Sequence, residues 1–248
     1  MMPKKRLLIS FILVMLISAC SLPGGMPTSP PMQPAAVQSQ NSSDYFPLKK
    51  GAYWVYQGTV KWTKSNSSDV VEEEITWKME VVQVIHRNDI TGYEVHGAPW
   101  DLIWYQPGKE QSKHGFIQMG DKIYSVPLET VLRLLNEGDD LANLVTENNV
   151  FLDLPLEKGK KFCDPASLAR SDNMYCSIVG EPTPFDAGHI KGVAPSTALL
   201  EYPIVYQTMP DVSWTYFVPG VGISHYFYHH NGTVSDVDVH LIEYSPGE

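Results

Sequence analysis

Ile75, Trp77, Met79 and Val81 alternate with Thr76, Lys78 and Glu80. A period of two sends alternate side chains to opposite faces of a strand, so this stretch reads as a half-buried strand and not as a helix. Short β-prone runs recur along the chain, at Tyr53–Trp62, Tyr93–His96, Leu102–Gln106, Phe116–Met119 and Lys122–Val126. They resume at Tyr175–Val179, Ala198–Gln207, Ser213–Val218, Gly222–His230 and Val234–Tyr244. Gly, Pro, Asn and Asp punctuate them, as turn residues do. One stretch departs from the pattern. Leu128, Val131, Leu132, Leu134 and Leu135 recur at helical spacing up to Gly138, and a second short helix is expected over 139–146. The chain is therefore expected to be mainly β, of the α+β class, with a short helical insert between two groups of strands.

Charge and the N-terminus constrain the setting. The chain has 248 residues, 43% of them hydrophobic and 19% charged, with a formal net charge of −10. An acidic chain without a basic patch is not expected to bind nucleic acid. Lys4, Lys5 and Arg6 precede an apolar run, Leu7 to Ile17, followed by Ser18, Ala19 and Cys20. That run falls well short of the roughly 20 residues a spanning helix needs, and its flanks are those of an export signal. Ile17-Ser18-Ala19-Cys20 resembles the lipobox of bacterial lipoproteins. The resemblance implies cleavage before Cys20, acylation of its thiol, and membrane association through lipid. Two or more acyl chains are needed for stable anchoring. Residues 1–19 are thus expected to be a lipoprotein signal peptide. Residues 20–43, with Pro23, Pro27, Pro30, Pro31 and Pro34 and no charge, are expected to be a lipidated cysteine and an extended tether. Residues 44–248 are expected to form a single β-rich body. Without its three basic residues, the remainder carries 15 Lys+Arg against 28 Asp+Glu, a net charge of −13. The expected location is extracytoplasmic, on an outer membrane where the organism has one and otherwise on the cell membrane.

Pro47-Leu48-x-x-Gly51-x-x-Trp54 is echoed by Pro155-Leu156-x-x-Gly159-x-x-Phe162, an offset of 108 residues that would divide the body into two similar halves. The opening Phe46-Pro47-Leu48 to Tyr56, together with Val218-Pro219-Gly220-Val221-Gly222, resembles a group of uncharacterised bacterial lipoproteins and secreted proteins. The resemblance implies a curved antiparallel sheet. The architecture is also similar to lipoprotein-carrier half-barrels with helices plugging the concave side. Neither likeness supplies an activity.

Cys163 and Cys176 remain once Cys20 is set aside, and export places them where a disulfide can form. A loop of about 15 residues closed in this way is worth about 3 kcal/mol. Candidate sites are sparse. The sequence contains no Gly-x-Ser-x-Gly elbow, His-Glu-x-x-His, P-loop or Cys-x-x-Cys. Trp54, Trp77 and Trp214 lie in strand-like runs and are expected in the core. Trp100, Trp104 and Tyr105 follow Pro99 near a turn, and are the candidate ligand-binding aromatics.

Asn231-Gly232 predicts a two-residue hairpin turn with positive φ at both residues. That register pairs His225 with Asp238, Phe227 with Asp236 and His229 with Val234, and sets Ile223 opposite His240. One face would carry His225, His229, Asp236, Asp238 and His240, two or three of which could hold a zinc or copper ion, but His225 and His229 would lie about 13 Å apart on one strand, too far to share one. This face is therefore expected to be solvated, with no metal and no cofactor. The functional expectation is a lipid-anchored, non-catalytic binding or scaffolding module acting on an envelope protein or apolar ligand. The alternatives are a carrier of a lipid or other apolar ligand in a concave sheet, and an envelope-polymer hydrolase.

Overall fold

The computed structural model describes residues 45–64, 67–195 and 198–248. The stretches expected to be signal peptide and tether, with Cys20, lie outside the described residues. The strands are β1 (Tyr53–Thr63), β2 (Val70–Arg87), β3 (Ile90–His96), β4 (Lys113–Met119), β5 (Lys122–Pro127), β6 (Val150–Asp153) and β7 (Lys161–Phe162). They continue with β8 (Ser177–Val179), β9 (Thr183–Pro184), β10 (Leu200–Gln207), β11 (Asp211–Val218), β12 (Gly222–His230) and β13 (Ser235–Ser245). Two short helices, α1 (Leu128–Leu132) and α2 (Pro165–Leu168), interrupt them. The described strands form one antiparallel sheet in the order β6-β5-β4-β3-β2-β1-β13-β12-β11-β10-β8-β7, with β9 paired to β10. The sheet curls into a nearly closed barrel.

The alternation at 75–81 is the centre of β2, and Trp77, Met79 and Val81 point into the core. The barrel is filled by side chains. Trp54 and Tyr56 from β1, Phe116 from β4 and Phe217 from β11 are fully buried. They are joined by Phe46, which precedes the first strand and stands edge-on to Trp54, Phe116 and Phe217. The helical insert does not plug the concave side. Val131 and Leu134 pack with Ile85, Ile90 and Ile117 in a second, smaller core on the opposite face of the sheet. Gly92 and Gly115 make room for them: a Cβ at Gly115 would stand 2.5 Å from Cγ2 of Val131.

Three local expectations are corrected. Leu102–Gln106 is not a strand; it forms the end of a 3-10 turn, Pro99–Leu102, and the loop after it. Residues 139–146 form turns and no helix. The guanidinium of Arg87 donates to the carbonyls of Asn136, Glu137 and Asp139, and Arg133 to that of Asp140, so side chains occupy acceptors that a helix would need. So short a segment has little helical stability of its own to compete. Trp214 is half-buried on the outer face, because its neighbours Ser213 and Thr215 take the inward positions.

The echo corresponds to two matching turns. Gly51 and Gly159 have φ of +79° and +82°. Gly51 N–H donates to Val81, Ala52 N–H to Lys49, and Val81 N–H to Ala52. Gly159 N–H donates to Val179, Lys160 N–H to Glu157, and Val179 N–H to Lys160. Each turn opens a six-stranded meander, β1 to β6 and then β7-β8-β10-β11-β12-β13. In this correspondence β7 matches β1 and β6 matches β13. The halves differ at the first strand. β1 runs for 11 residues and zips to β13, whereas β7 stops after 2 at Phe162. Cys163 then turns into α2, whose first turn is capped by Asp164, and is disulfide-bonded to Cys176 with the Cα atoms 4.9 Å apart. The second junction therefore stays unzipped and leaves a seam between β6 and the β7–β8–β10 edge.

Candidate functional site

The seam opens into the barrel through a cavity of about 290 Å³. Trp100, Phe151 and Tyr226 form its apolar wall, and Ser125, Ser213 and Thr215 line it with hydroxyls. Trp100 is held in place by its own turn. Pro99 starts the turn, and the buried Asp101 accepts the Ser112 N–H at 2.8 Å and the His114 imidazole at 2.6 Å. This fastens the turn to β4. The Trp100 ring then packs against Phe151 at 5.4 Å and Phe116 at 6.0 Å between centroids. Burial pushes the Tyr226 phenol far above its ordinary pKa, so its hydroxyl is neutral at physiological pH. The inner wall thus carries no formal charge. Toward solvent, a second depression of about 260 Å³ continues past Val150, Ser177 and Tyr206 to Glu147 and Asp164. Lys160 and Asp153 pair at 2.8 Å where β6 gives way to β7.

The three candidate aromatics do not meet. Trp100 lines the cavity. Trp104 is on the surface, 47% exposed, with φ of +54° and its ring edge-on to His230. Tyr105 is buried against Trp62. Phe151, Tyr226 and Thr215, which line the cavity with Trp100, come from strands far away in sequence, and no local pattern marked them.

The hairpin expectation is corrected. β12 and β13 are joined by four residues, 231–234, and only Gly232 has positive φ. The Asn231 N–H donates to the Pro210 carbonyl at 2.6 Å, which ties the loop to the neighbouring β10–β11 turn. The Ser235 hydroxyl accepts the Trp104 N–H. The register moves by two residues: His225 faces His240, Phe227 faces Asp238 and His229 faces Asp236. A shift of two keeps every side chain on its face. His225 still reaches Asp238, now diagonally, at 2.8 Å.

No family model matches the sequence, and no curated protein matches it. Two solved structures are similar in part. One is a Bacteroides fragilis protein classed as exported, with a YmcC-like fold: 10% identical, TM-score 0.35, covering 81% of this chain and 98% of its own. The other is a Parabacteroides distasonis protein classed as a lipoprotein: 13% identical, TM-score 0.33, covering 81% and 98%. At that level of similarity no residue role or activity passes between the chains.

Proposed function

We propose that this chain is an exported, lipid-anchored, non-catalytic binding module whose ligand site is the seam cavity. The observation that carries the reading is the convergence of Trp100, Phe151 and Tyr226 with several hydroxyls in a half-open cavity, at the one junction the fold leaves unzipped. Aromatic walls with a few polar groups are the usual make-up of small-ligand sites. The ligand class is a small uncharged molecule with a flat apolar face and a polar edge, such as a sugar or an aromatic alcohol. A volume of about 290 Å³ lies at the low end of ligand sites, about 300–1,000 Å³, and the rest of the barrel is packed with side chains. This favours a small ligand over a lipid with long acyl chains. Ligand-detected NMR on the full chain, with monosaccharides and small aromatic alcohols, tests the site. Binders should lose their signal with Ser213→Phe and with Thr215→Phe. Signals that survive both substitutions, or no binder in either class, would overturn it.

Anchoring rests on the lipobox resemblance at Cys20. Cells fed an alkyne fatty acid should label the wild-type protein and not Cys20→Ser. Equal labelling of the two would remove the anchor while leaving the cavity reading untouched.

A further inference from the structure

The observed register of β12 and β13 brings two histidines of one face directly opposite each other. His225 on β12 and His240 on β13 are directly opposite, with ring centroids 3.9 Å apart and planes within 15°. Asp238, two residues before His240 on the same face, turns one carboxylate oxygen toward both. Its Oδ1 is 2.8 Å from Nε2 of His225 and 3.2 Å from Nε2 of His240. Each residue offers one ligand atom, and all three lie within 4.8 Å of one another.

We propose that His225, His240 and Asp238 form a surface site for a divalent transition cation, zinc or copper(II), on the outer face of the barrel. Two imidazoles and a carboxylate form the donor set these borderline ions take. A tetrahedral ion with bonds of about 2.0–2.1 Å spaces its donors about 3.3–3.4 Å apart. The two separations from Asp238 Oδ1, 2.8 and 3.2 Å, need to open by only a few tenths of an ångström. The two rings lie face to face, so their in-plane lone pairs run nearly parallel, and the exposed His240 ring has to rotate out of the stack to turn its Nε2 toward a shared ion. The Tyr216 ring stacks on the far side of His225, at 4.6 Å and 16°, so the two histidines extend a stack from β11 to β13. The directly opposite positions supply no cation to compete for Asp238, and Lys61, diagonal to it on β1, is paired with Glu72. His240 faces Gln57, Asp238 faces Thr59 on β1 and Phe227 on β12, and His225 faces Tyr216 on β11. The Asp238 and His240 side chains are 49% and 58% exposed, so water can complete the coordination. Three protein donors with open positions toward solvent is the pattern of exchangeable sites. The site is remote from the seam, on the opposite face of β12 from Tyr226, so the two can be tested separately.

The test uses the untagged full chain, stripped with EDTA and titrated with ZnCl₂ and with CuCl₂ by calorimetry. One ion per chain is expected. His225→Gln and His240→Gln should each weaken binding by about tenfold or more, because removing one of three donors costs at least what is lost with an outer-shell partner. His229→Gln, on the same face but paired with Asp236, should leave binding unchanged. Copper(II) electron paramagnetic resonance should show two coupled imidazole nitrogens in the wild type and one in His240→Gln. Circular dichroism checks that each variant is folded. Absence of stoichiometric binding would overturn the proposal, as would affinity and copper spectra that do not change in both the His225 and His240 variants.

Discussion

Replacing Phe46 by Ala should be among the most damaging single changes in this protein, although the residue precedes the first strand. Phe46 is 1% exposed, and its ring centroid lies 5.2 Å from Phe217, 5.6 Å from Trp54, 5.9 Å from Phe116 and 6.3 Å from Phe151. Three of those partners belong to long strands, and Trp54 is further held by an indole N–H bond to the Val221 carbonyl at 2.6 Å. They cannot collapse into the vacated space. Core Phe→Ala changes cost about 3–5 kcal/mol, and a wall this rigid places the cost near the top of that range. For a body of this size each kcal/mol moves the melting temperature by about 2–4 °C, so a fall of about 10–20 °C is expected. Urea and thermal unfolding followed by circular dichroism measure both quantities. The new void would border Phe151 and extend the seam cavity, so benzene or indole should restore part of the lost stability. A loss below about 1 kcal/mol would refute the reasoning, since it would mean that 45–48 do not belong to the core.

Gly115→Val would push a side chain into Val131 and should destabilise by about 1–3 kcal/mol, with hydrogen exchange rising first in α1. Cys163→Ser with Cys176→Ser releases a loop with a sequence separation of 13, and should cost about 3 kcal/mol, read as a melting-temperature drop that reductant reproduces in the wild type. Burial pushes the phenols of Tyr93 and Tyr244 up to about 12. A raised folded pKa means the protonated phenol is the form the fold favours. The stability it contributes is complete below the ordinary value near 10, and drains away as pH rises from there through about 12. Absorbance at about 295 nm should show these tyrosines ionising together with unfolding, whereas exposed ones titrate near their reference value. Independent titration of every tyrosine near that value would count against the burial.

Much of this molecule could be read from local pattern. The alternation at 75–81 places Trp77, Met79 and Val81 on one face because a strand has period two wherever it sits. The Leu128–Leu135 spacing marks the helical insert for the same local reason. The echo at Gly51 and Gly159 is legible because a left-handed turn position demands glycine in both copies. Cavity and cluster were not legible. Which of Ser213 and Trp214 points inward depends on which face of β11 the barrel encloses, and alternation alone does not say. Trp100, Phe151, Thr215 and Tyr226 meet only because the second half's first strand ends at Phe162 and leaves the seam open. The His225–His240 pair depends on the length of one loop. Asn231-Gly232 by itself favours a tight turn, but the Asn231 N–H is taken by the Pro210 carbonyl of the neighbouring hairpin. Short-range periodicity thus lies in the chain, whereas register, closure and the meeting of distant side chains are set by contacts between strands, which no local window contains.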